Sequence, residues 1–520
     1  MALGCCRGLE PVMTTRNSAT WQKRFVETID QRNRELPPAW VSMPSVANAR
    51  GEQGQAVFES GRSRQMANAV ISLLSQAREK AVMSSFLLAD KGVEDAILEA
   101  AKRGVRVYVL LASEARLGRE EGEGEFDKRV LDQHKAMLTR LGGHALFRSA
   151  PHFHAKVVVI DPETRPAGLL LTANLTTEAL ERNEELAVNL NASEVIEVTG
   201  YLKWAMWEAA EHELIDPKDR FKATRPLGKV LHPDPGKQIV ATTAKANAIQ
   251  EEALRLIDGA RSRIVVSSFG WDEDHAVVKR LCTRAREGLD VTVLARIRPS
   301  SMPALLALAK AGATVLGFRW LHAKAIWTES GQSLVMSANL QSDGLDHGFE
   351  LGLRLSDGRS REILERLEGW CAAAPWRLEP KPLLGALLGK VKLWKQQQLV
   401  DDEILTSVDV DLGAVTAESA AAIEAGRPRR PAETASPSTL AHDLRCVWLV
   451  AAPSLAAKAK EKLRPAAEKD QPGASYQPAV FREPSGRLVV AVRSVAELDQ
   501  ARMVMGEVGA ATIVVAEGAN

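Results

Sequence analysis

Two stretches of this chain repeat each other, and a duplication limits the fold more than any composition does. In the first, Ala81-Val-Met-Ser-Ser-Phe86 precedes a helical run that ends at Gly104, and Val105-Arg-Val-Tyr-Val-Leu-Leu111 follows. In the second, Ile264-Val-Val-Ser-Ser-Phe269 precedes a helical run that ends at Gly288, followed by Leu289-Asp-Val-Thr-Val-Leu294. A further helix closes at Gly143, and a strand leads through Phe147-Arg148 to His154-Ala-Lys156-Val-Val-Val-Ile-Asp161. Its counterpart closes at Gly312 and leads through Phe318-Arg319 to His322-Ala-Lys324-Ala-Ile-Trp-Thr-Glu329. Leu171-Thr-Ala-Asn174 matches Met336-Ser-Ala-Asn339, and Glu184-Glu185-Leu-Ala matches Phe349-Glu350-Leu-Gly, with eleven residues from Asn to Glu each time. Trp204 and Trp370 close the copies 166 residues apart, against 168 for the two histidines. Chance does not produce so many matched offsets.

Apolar runs such as 105–111 and 157–160 alternate with helical stretches, which predicts a mixed α/β sheet flanked by helices in each half. Helix ends at Gly104 and Gly288 follow the usual glycine stop. The expected organisation is an N-terminal extension (1–54), a first lobe (55–216), a connector (217–236), a second lobe (237–380), a helix and linker (381–441) and a small domain (442–520). One helix is expected around Trp21 to Arg34 and another over Lys390 to Gln398, while Glu418 to Thr439, rich in Ala, Pro, Ser and Arg, reads as linker. Beyond it, strands near 445–451, 478–482, 487–493 and 511–517, with helices near 453–465 and 495–507, give a small ferredoxin-like α+β domain. Its strands lack the aromatics on which RNA-recognition modules stack bases, so docking to a partner is the expected role.

Global charge points to no partner, because 67 basic residues stand against 66 acidic ones. The five cysteines show no metal spacing and make an odd number, which suits a reducing compartment. The first residues lack the apolar run of a signal peptide, and no uncharged apolar stretch reaches the roughly 20 residues of a membrane span. A cytoplasmic protein is the expectation.

On a strand, residues i and i+2 share a face, so His154 and Lys156 present an imidazole beside an ammonium, and His322 and Lys324 do the same. Packing the copies about a pseudo-two-fold axis would join both pairs, with Asn174 and Asn339 adding amide donors. Such a site receives one tetrahedral phosphate. One imidazole attacks phosphorus while the other protonates the leaving oxygen and then activates water. A carboxylate behind each imidazole would fix its tautomer, and Glu185 and Glu350 are placed to do so. The scheme needs no metal and no cofactor.

At these residues the chain resembles the phospholipase D superfamily, whose signature is H-x-K-x(4)-D followed by G-S-x-N. The resemblance covers roughly residues 55 to 380 and implies two α/β lobes with the site at their junction. It implies a catalytic set of His154, Lys156, Asn174, Glu185, His322, Lys324, Asn339 and Glu350, with His154 as nucleophile, although pseudo-symmetry permits the reverse. Leu171-Thr172 and Met336-Ser337 replace the family's Gly-Ser, and Glu329 replaces its Asp. The expected activity is a metal-independent bacterial nuclease cleaving DNA in preference to RNA, in a phage-defence or helicase-associated complex. The alternatives are a cytosolic phospholipase D or phosphatidyltransferase, and a non-catalytic nucleic-acid-binding scaffold.

Other residues invite blander readings. His152 is expected to cap a strand rather than to join the site. The acidic stretch Arg119 to Glu125 reads as solvated, and Trp204 and Trp370 as helix-to-sheet packing. Ser84-Ser85 and Ser267-Ser268 suggest a shared structural role, since no nucleophile elbow accompanies them. Lys218, Arg220, Lys222, Arg225, Lys229, Arg427, Arg429 and Arg430 suit either solubility or a nucleic-acid backbone.

Overall fold

The computed structural model describes residues 21–28, 35–44, 56–122, 128–214, 221–383, 386–387, 389–404, 445–449, 479–482, 488–492 and 512–518. The chain divides into two units, residues 42–380 and residues 1–41 with 381–520.

The larger unit holds both copies of the repeat, and they match strand for strand. The first sheet runs Lys222–Ala223, His212–Leu214, Ala145–Ala150, Arg106–Ala112, Lys80–Ser84, Val157–Ile160, Ala167–Leu171, Leu186–Leu190, Val57–Glu59. The second runs Trp376–Glu379, Thr314–Phe318, Asp290–Arg296, Arg263–Ser268, Ala325–Thr328, Ser333–Met336, Glu350–Leu355, Ile239–Thr243, and Ala246–Asn247 pairs at its edge. In both, three parallel strands meet an antiparallel meander at the strand that follows the His-x-Lys motif. Every residue of Val157–Ile160 is buried, as an unbroken apolar run requires. Helix Gln65–Gln76 buries Met66, Ala67, Val70 and Leu74, one helical face. The four glycines expected to end helices, Gly104, Gly143, Gly288 and Gly312, have φ of 86°, 80°, 93° and 107°, which a side chain would oppose.

Strand register corrects one detail of the repeat. Ala112 pairs with Ala150, and Arg296 with Phe318, so Ala150 rather than Phe147 is the counterpart of Phe318. His152 accordingly stands where the second copy has Trp320. Arg148 is buried and structural: it donates to Met206 O at 2.8 Å and to Glu213 at 2.7 Å, and lies over Trp207. The sequence match paired like residues at different depths of the two strands.

One hydrophobic cluster joins the lobes. It gathers Phe153, Leu186 and Val188 of the first with Phe349, Leu351 and Leu353 of the second, and includes Trp204 and Trp370 of the closing helices. Those helices, Ala192–Trp204 and Gly358–Ala373, also reach across. Glu197 accepts the backbone N–H of Gln238 and Ile239, which start the second lobe's edge strand, at 3.1 and 2.8 Å. Glu362 does the same for Ala56 and Val57 of the first lobe at 3.3 and 3.0 Å. Arg359 adds a two-pronged pair to the buried Glu194 at 2.7 and 2.8 Å.

In the other unit, the helix expected over Lys390 to Gln398 is a hairpin of Gly389–Lys395 and Gln398–Ile404. Val391 and Leu393 are buried with Ala39 and Leu387, a period of two that a helix does not serve. Gln396 and Gln397 turn the chain at φ of 47° and 61°, the left-handed pair of a type I′ turn without its usual Asn-Gly. The helix expected around Trp21 to Arg34 is likewise a strand, Trp21–Thr28, over the described part. It pairs antiparallel with Thr512–Gly518, a partner far along the chain that local propensity does not register. The four expected strands of the small domain are Arg445–Leu449, Ala479–Arg482, Leu488–Val492 and Thr512–Gly518. Numbered along the chain they lie in the order 4-1-3-2, all antiparallel, as in ferredoxin-like folds. The helices expected between them, the linker at Glu418 to Thr439, and the arginines at 427, 429 and 430 lie outside the described residues.

The acidic residue that ends each His-x-Lys motif is a backbone clamp. Buried Asp161 accepts the N–H groups of Arg78, Glu79 and Lys80 at 2.8, 2.7 and 2.9 Å. Glu329 accepts those of Arg261, Ser262 and Arg263 at 2.5, 3.3 and 3.3 Å. Asp161→Ala strands three donors and is expected to cost about 3 kcal/mol, while Glu329→Ala, at the more exposed clamp, costs about 1 kcal/mol. Urea unfolding midpoints of the two variants check both the loss and its order.

Candidate active site

Each His-x-Lys segment sits just ahead of its strand, and the other lobe's backbone holds it there. His154 and Ala155 both donate to Phe349 O, at 3.1 and 2.8 Å, and Phe349 N donates to His152 O at 2.8 Å. The mirror set joins His322 and Ala323 to Glu184 O at 3.0 and 2.8 Å, with Glu184 N reaching Trp320 O at 3.3 Å. The repeated serines complete the frame. Ser84 donates to Ala155 O at 2.8 Å, and Ser267 to Ala323 O at 2.9 Å. Ser85 accepts from Leu175 N, and Ser268 from Leu340 N, fixing the residue after each Asn.

The carboxylates cross between lobes. His154 Nδ1 bonds Glu350 Oε1 at 2.6 Å, and His322 Nδ1 lies 2.7 Å from Glu185 Oε1. Each Glu is pinned in turn by the hydroxyl two residues before its own lobe's Asn. Thr172 donates to Glu185 Oε2 at 2.6 Å, and Ser337 to Glu350 Oε2. Sequence reasoning treated Thr172 and Ser337 only as departures from a motif. Their signal was a hydroxyl kept in both copies, thirteen residues before the Glu. Phe86 and Phe269 brace the imidazoles edge-on, at 5.2 and 4.8 Å between ring centres.

Lys156 and Lys324 are buried completely, 1% and 0% exposed, behind the imidazoles. Lys156 Nζ donates to His154 O at 2.7 Å, and Lys324 Nζ to His322 O at 2.5 Å. Burial, with Lys156 nearby, holds the Lys324 ammonium well below its ordinary value, against the pull of Glu185 and Glu350. Burial likewise lowers His154, and takes His322 down to about 3, with Lys324 and Lys156 adding to the effect. Burial pushes Glu185 and Glu350 upward, but the facing imidazoles and ammoniums outweigh it and leave both carboxylates ionised below their usual range. The site is therefore a pair of neutral imidazoles backed by carboxylates and lysines.

His154, Asn174, Glu185, His322, Asn339 and Glu350 all line one open cleft of about 1210 Å³. Each Asn keeps a buried Oδ1 without a hydrogen-bond partner, so its amide is not locked and can turn an N–H toward a ligand. Among the described residues, no group of three His, Cys, Asp or Glu side chains is arranged to hold a metal ion. His152 lines the cleft and packs edge-on against Phe153 at 4.9 Å. Trp204 and Trp370 pack as expected. The described part of the acidic stretch belongs to the helix Glu114–Gly122. Lys222, Arg225 and Lys229 are exposed and do not line the cleft, and 218 and 220 lie outside the described residues. No described helix is long and apolar enough to cross a membrane.

Fold and site together define a two-lobed α/β protein with a paired His-Lys centre. Residues 70–205 match the family model described as cardiolipin synthase, PLD-like domain. Similar solved structures include polyphosphate kinase from Porphyromonas gingivalis, at 16% identity over 63% of this chain and 54% of that one, with a TM-score of 0.41. Phosphatidylserine synthase from Haemophilus influenzae Rd KW20 aligns at 12% identity over 66% and 90%, with a TM-score of 0.44. Nuc, a phospholipase D family member from Salmonella typhimurium, aligns at 16% identity over 33% and 98%, with a TM-score of 0.24. No curated protein sequence matches significantly.

The crossed pairing makes a directional prediction. Glu350→Gln removes the charge that raises the His154 pKa, so the His154 titration, already below the ordinary imidazole value, moves lower still, and kcat falls by about 100-fold or more. Imidazole ¹⁵N–¹H spectra should show His154 moving and His322 nearly unchanged, with Glu185→Gln giving the converse. A shift of the same-lobe histidine instead would contradict the crossing.

Proposed function

We propose that the protein is a phosphodiesterase acting on nucleic acid through a covalent phosphohistidine. The observation that supports this is the pair of imidazoles in one cleft, each with a carboxylate at Nδ1, where Lys324 Nζ also lies 2.9 Å from His322 Nδ1. His154 Nε2 has no partner among the described residues, whereas Lys324 Nζ lies 3.1 Å from His322 Nε2. His154 is accordingly the nucleophile in our reading. Its lone pair forms the P–N bond as the P–O bond to the leaving group breaks, and His322 supplies the proton to that oxygen. A phosphodiester anion raises the pKa of the neighbouring imidazole, so His322 takes up this proton as substrate binds. Neutral His322 then removes a proton from water, which attacks phosphorus and frees His154. Lys156, Lys324 and the two Asn amides balance charge on the non-bridging oxygens.

Nucleic acid is favoured over phospholipid by the arginines Arg182, Arg296 and Arg298 grouped on one flank of a cleft whose walls elsewhere include acidic side chains such as Asp272, Glu273 and Asp274. None of the exposed large apolar residues among those described, Met43, Ile196, Leu227, Leu231, Leu383 and Val400, lines it. The ferredoxin-like domain is the surface we assign to a protein partner such as a helicase.

The test incubates the purified protein in EDTA with labelled DNA, RNA and phospholipid vesicles, beside His154→Ala and His322→Ala. Nucleic-acid cleavage that survives EDTA and falls by about 10³-fold or more in both variants is expected. Acid quenching should lose, and alkaline quenching retain, a phosphoenzyme that His154→Ala never forms. Turnover of vesicles alone would replace this reading with the lipid one.

A further inference from the structure

The two halves of the cleft agree at the catalytic centre and diverge at the rim. Trp320 carries Arg182 at 3.9 Å, Arg319 at 4.8 Å and Arg296 at 5.1 Å from its ring centre. Phe269, the ring that braces His322, carries Arg298 at 4.2 Å and Arg296 at 5.1 Å. Strand register gives the matching positions of the other half. They are Ala112 for Arg296, Glu114 for Arg298 and His152 for Trp320, and the spacing from Glu350 puts His347 opposite Arg182. On that half, the cleft arginine Arg116 is already paired with Asp343 at 3.2 Å. Arg182 and Arg296 have no carboxylate at ion-pairing distance among the described residues, and they crowd each other enough to lower the Arg296 pKa after burial has done so.

We propose that Arg182, Arg296 and Arg298, stacked on Trp320 and Phe269, form a second anion subsite on the His322 flank. It holds the phosphate next to the scissile one on the same nucleic-acid strand. A guanidinium lying on an aromatic face keeps its N–H edge for a ligand, and that edge matches phosphate oxygens. Arg182 and Arg296 repel each other, and Glu185 and Glu184 act on Arg296 only from beyond ion-pairing distance, so an anion joining the two guanidiniums offsets a cost. The scissile centre is almost two-fold, but a nucleic-acid strand has a direction. A rim on one flank only is what allows this site to bind the strand one way round.

The inference rests on the nucleic-acid reading, and the experiment separates the two. Wild type and Arg296→Ala/Arg298→Ala are compared on a dinucleotide, which has one phosphodiester, and on a single-stranded hexanucleotide, with vesicles as a third substrate. Wild type is expected to favour the hexanucleotide by about tenfold or more in kcat/KM, and the double variant to lose that preference. The slope of log(1/KM) against log salt on the hexanucleotide should flatten by about 0.7 per lost contact, or roughly 1.4. Arg296→Lys/Arg298→Lys should restore most of the slope, which a merely structural role would not. The preference is a ratio within one preparation, so partial misfolding cancels. A wild type without the preference, or a double variant that keeps it, overturns the subsite while leaving the nuclease reading standing. Turnover of vesicles and of neither oligonucleotide overturns both.

Discussion

An imidazole in one lobe is held by a carboxylate in the other, twice over, and the rest of the larger unit is arranged so that both contacts form. His154 reaches Glu350, His322 reaches Glu185, and the main chain beside each Glu grips the segment carrying the opposite His. Four ionisable groups and two buried ammoniums in so small a space cost a great deal in desolvation. Apolar side chains of the same volume would give a more stable junction. What offsets the cost is the hydroxyl bonded to each carboxylate, the imidazole facing it, and a hydrophobic cluster that both lobes share.

The arrangement also sets the charge state in which the site waits. The carboxylates stay ionised because an imidazole and then the lysines face them, while burial first and the lysines second hold both imidazoles low. A neutral imidazole can attack phosphorus, but it cannot donate a proton. In the proposed reaction, an arriving phosphodiester supplies the missing negative charge, so the acid is made by the substrate it serves.

Much of this was legible in the sequence, because a duplication shows every structural requirement twice. The His-x-Lys pairs, the Asn and Glu that follow them, the serine pairs and the glycine helix stops stood at matched offsets, and the structure gives each pair one role. The crossing was not legible. Periodicity places Glu185 and Glu350 near an imidazole without saying whose, because that depends on how one lobe docks on the other. Glu197 and Glu362 were missed for the same reason, although each lies twelve residues after its Glu. The hairpin at Gln396-Gln397 was misread because glutamines in a left-handed turn carry none of the usual turn signal. The strand Trp21–Thr28 depends on a partner nearly five hundred residues away, beyond the reach of local reasoning.

The crossing has a consequence for how such a chain can change over generations. A substitution at Glu350 is felt by His154, in the copy that did not mutate, so the two copies cannot drift apart at these positions. The rim carries no such tie, and there they have diverged freely. A chain with one copy alone would hold an imidazole lacking its carboxylate until it met a second molecule of itself, and that meeting would supply both missing groups at once. In this geometry the covalent link between the copies keeps each imidazole beside the carboxylate it needs.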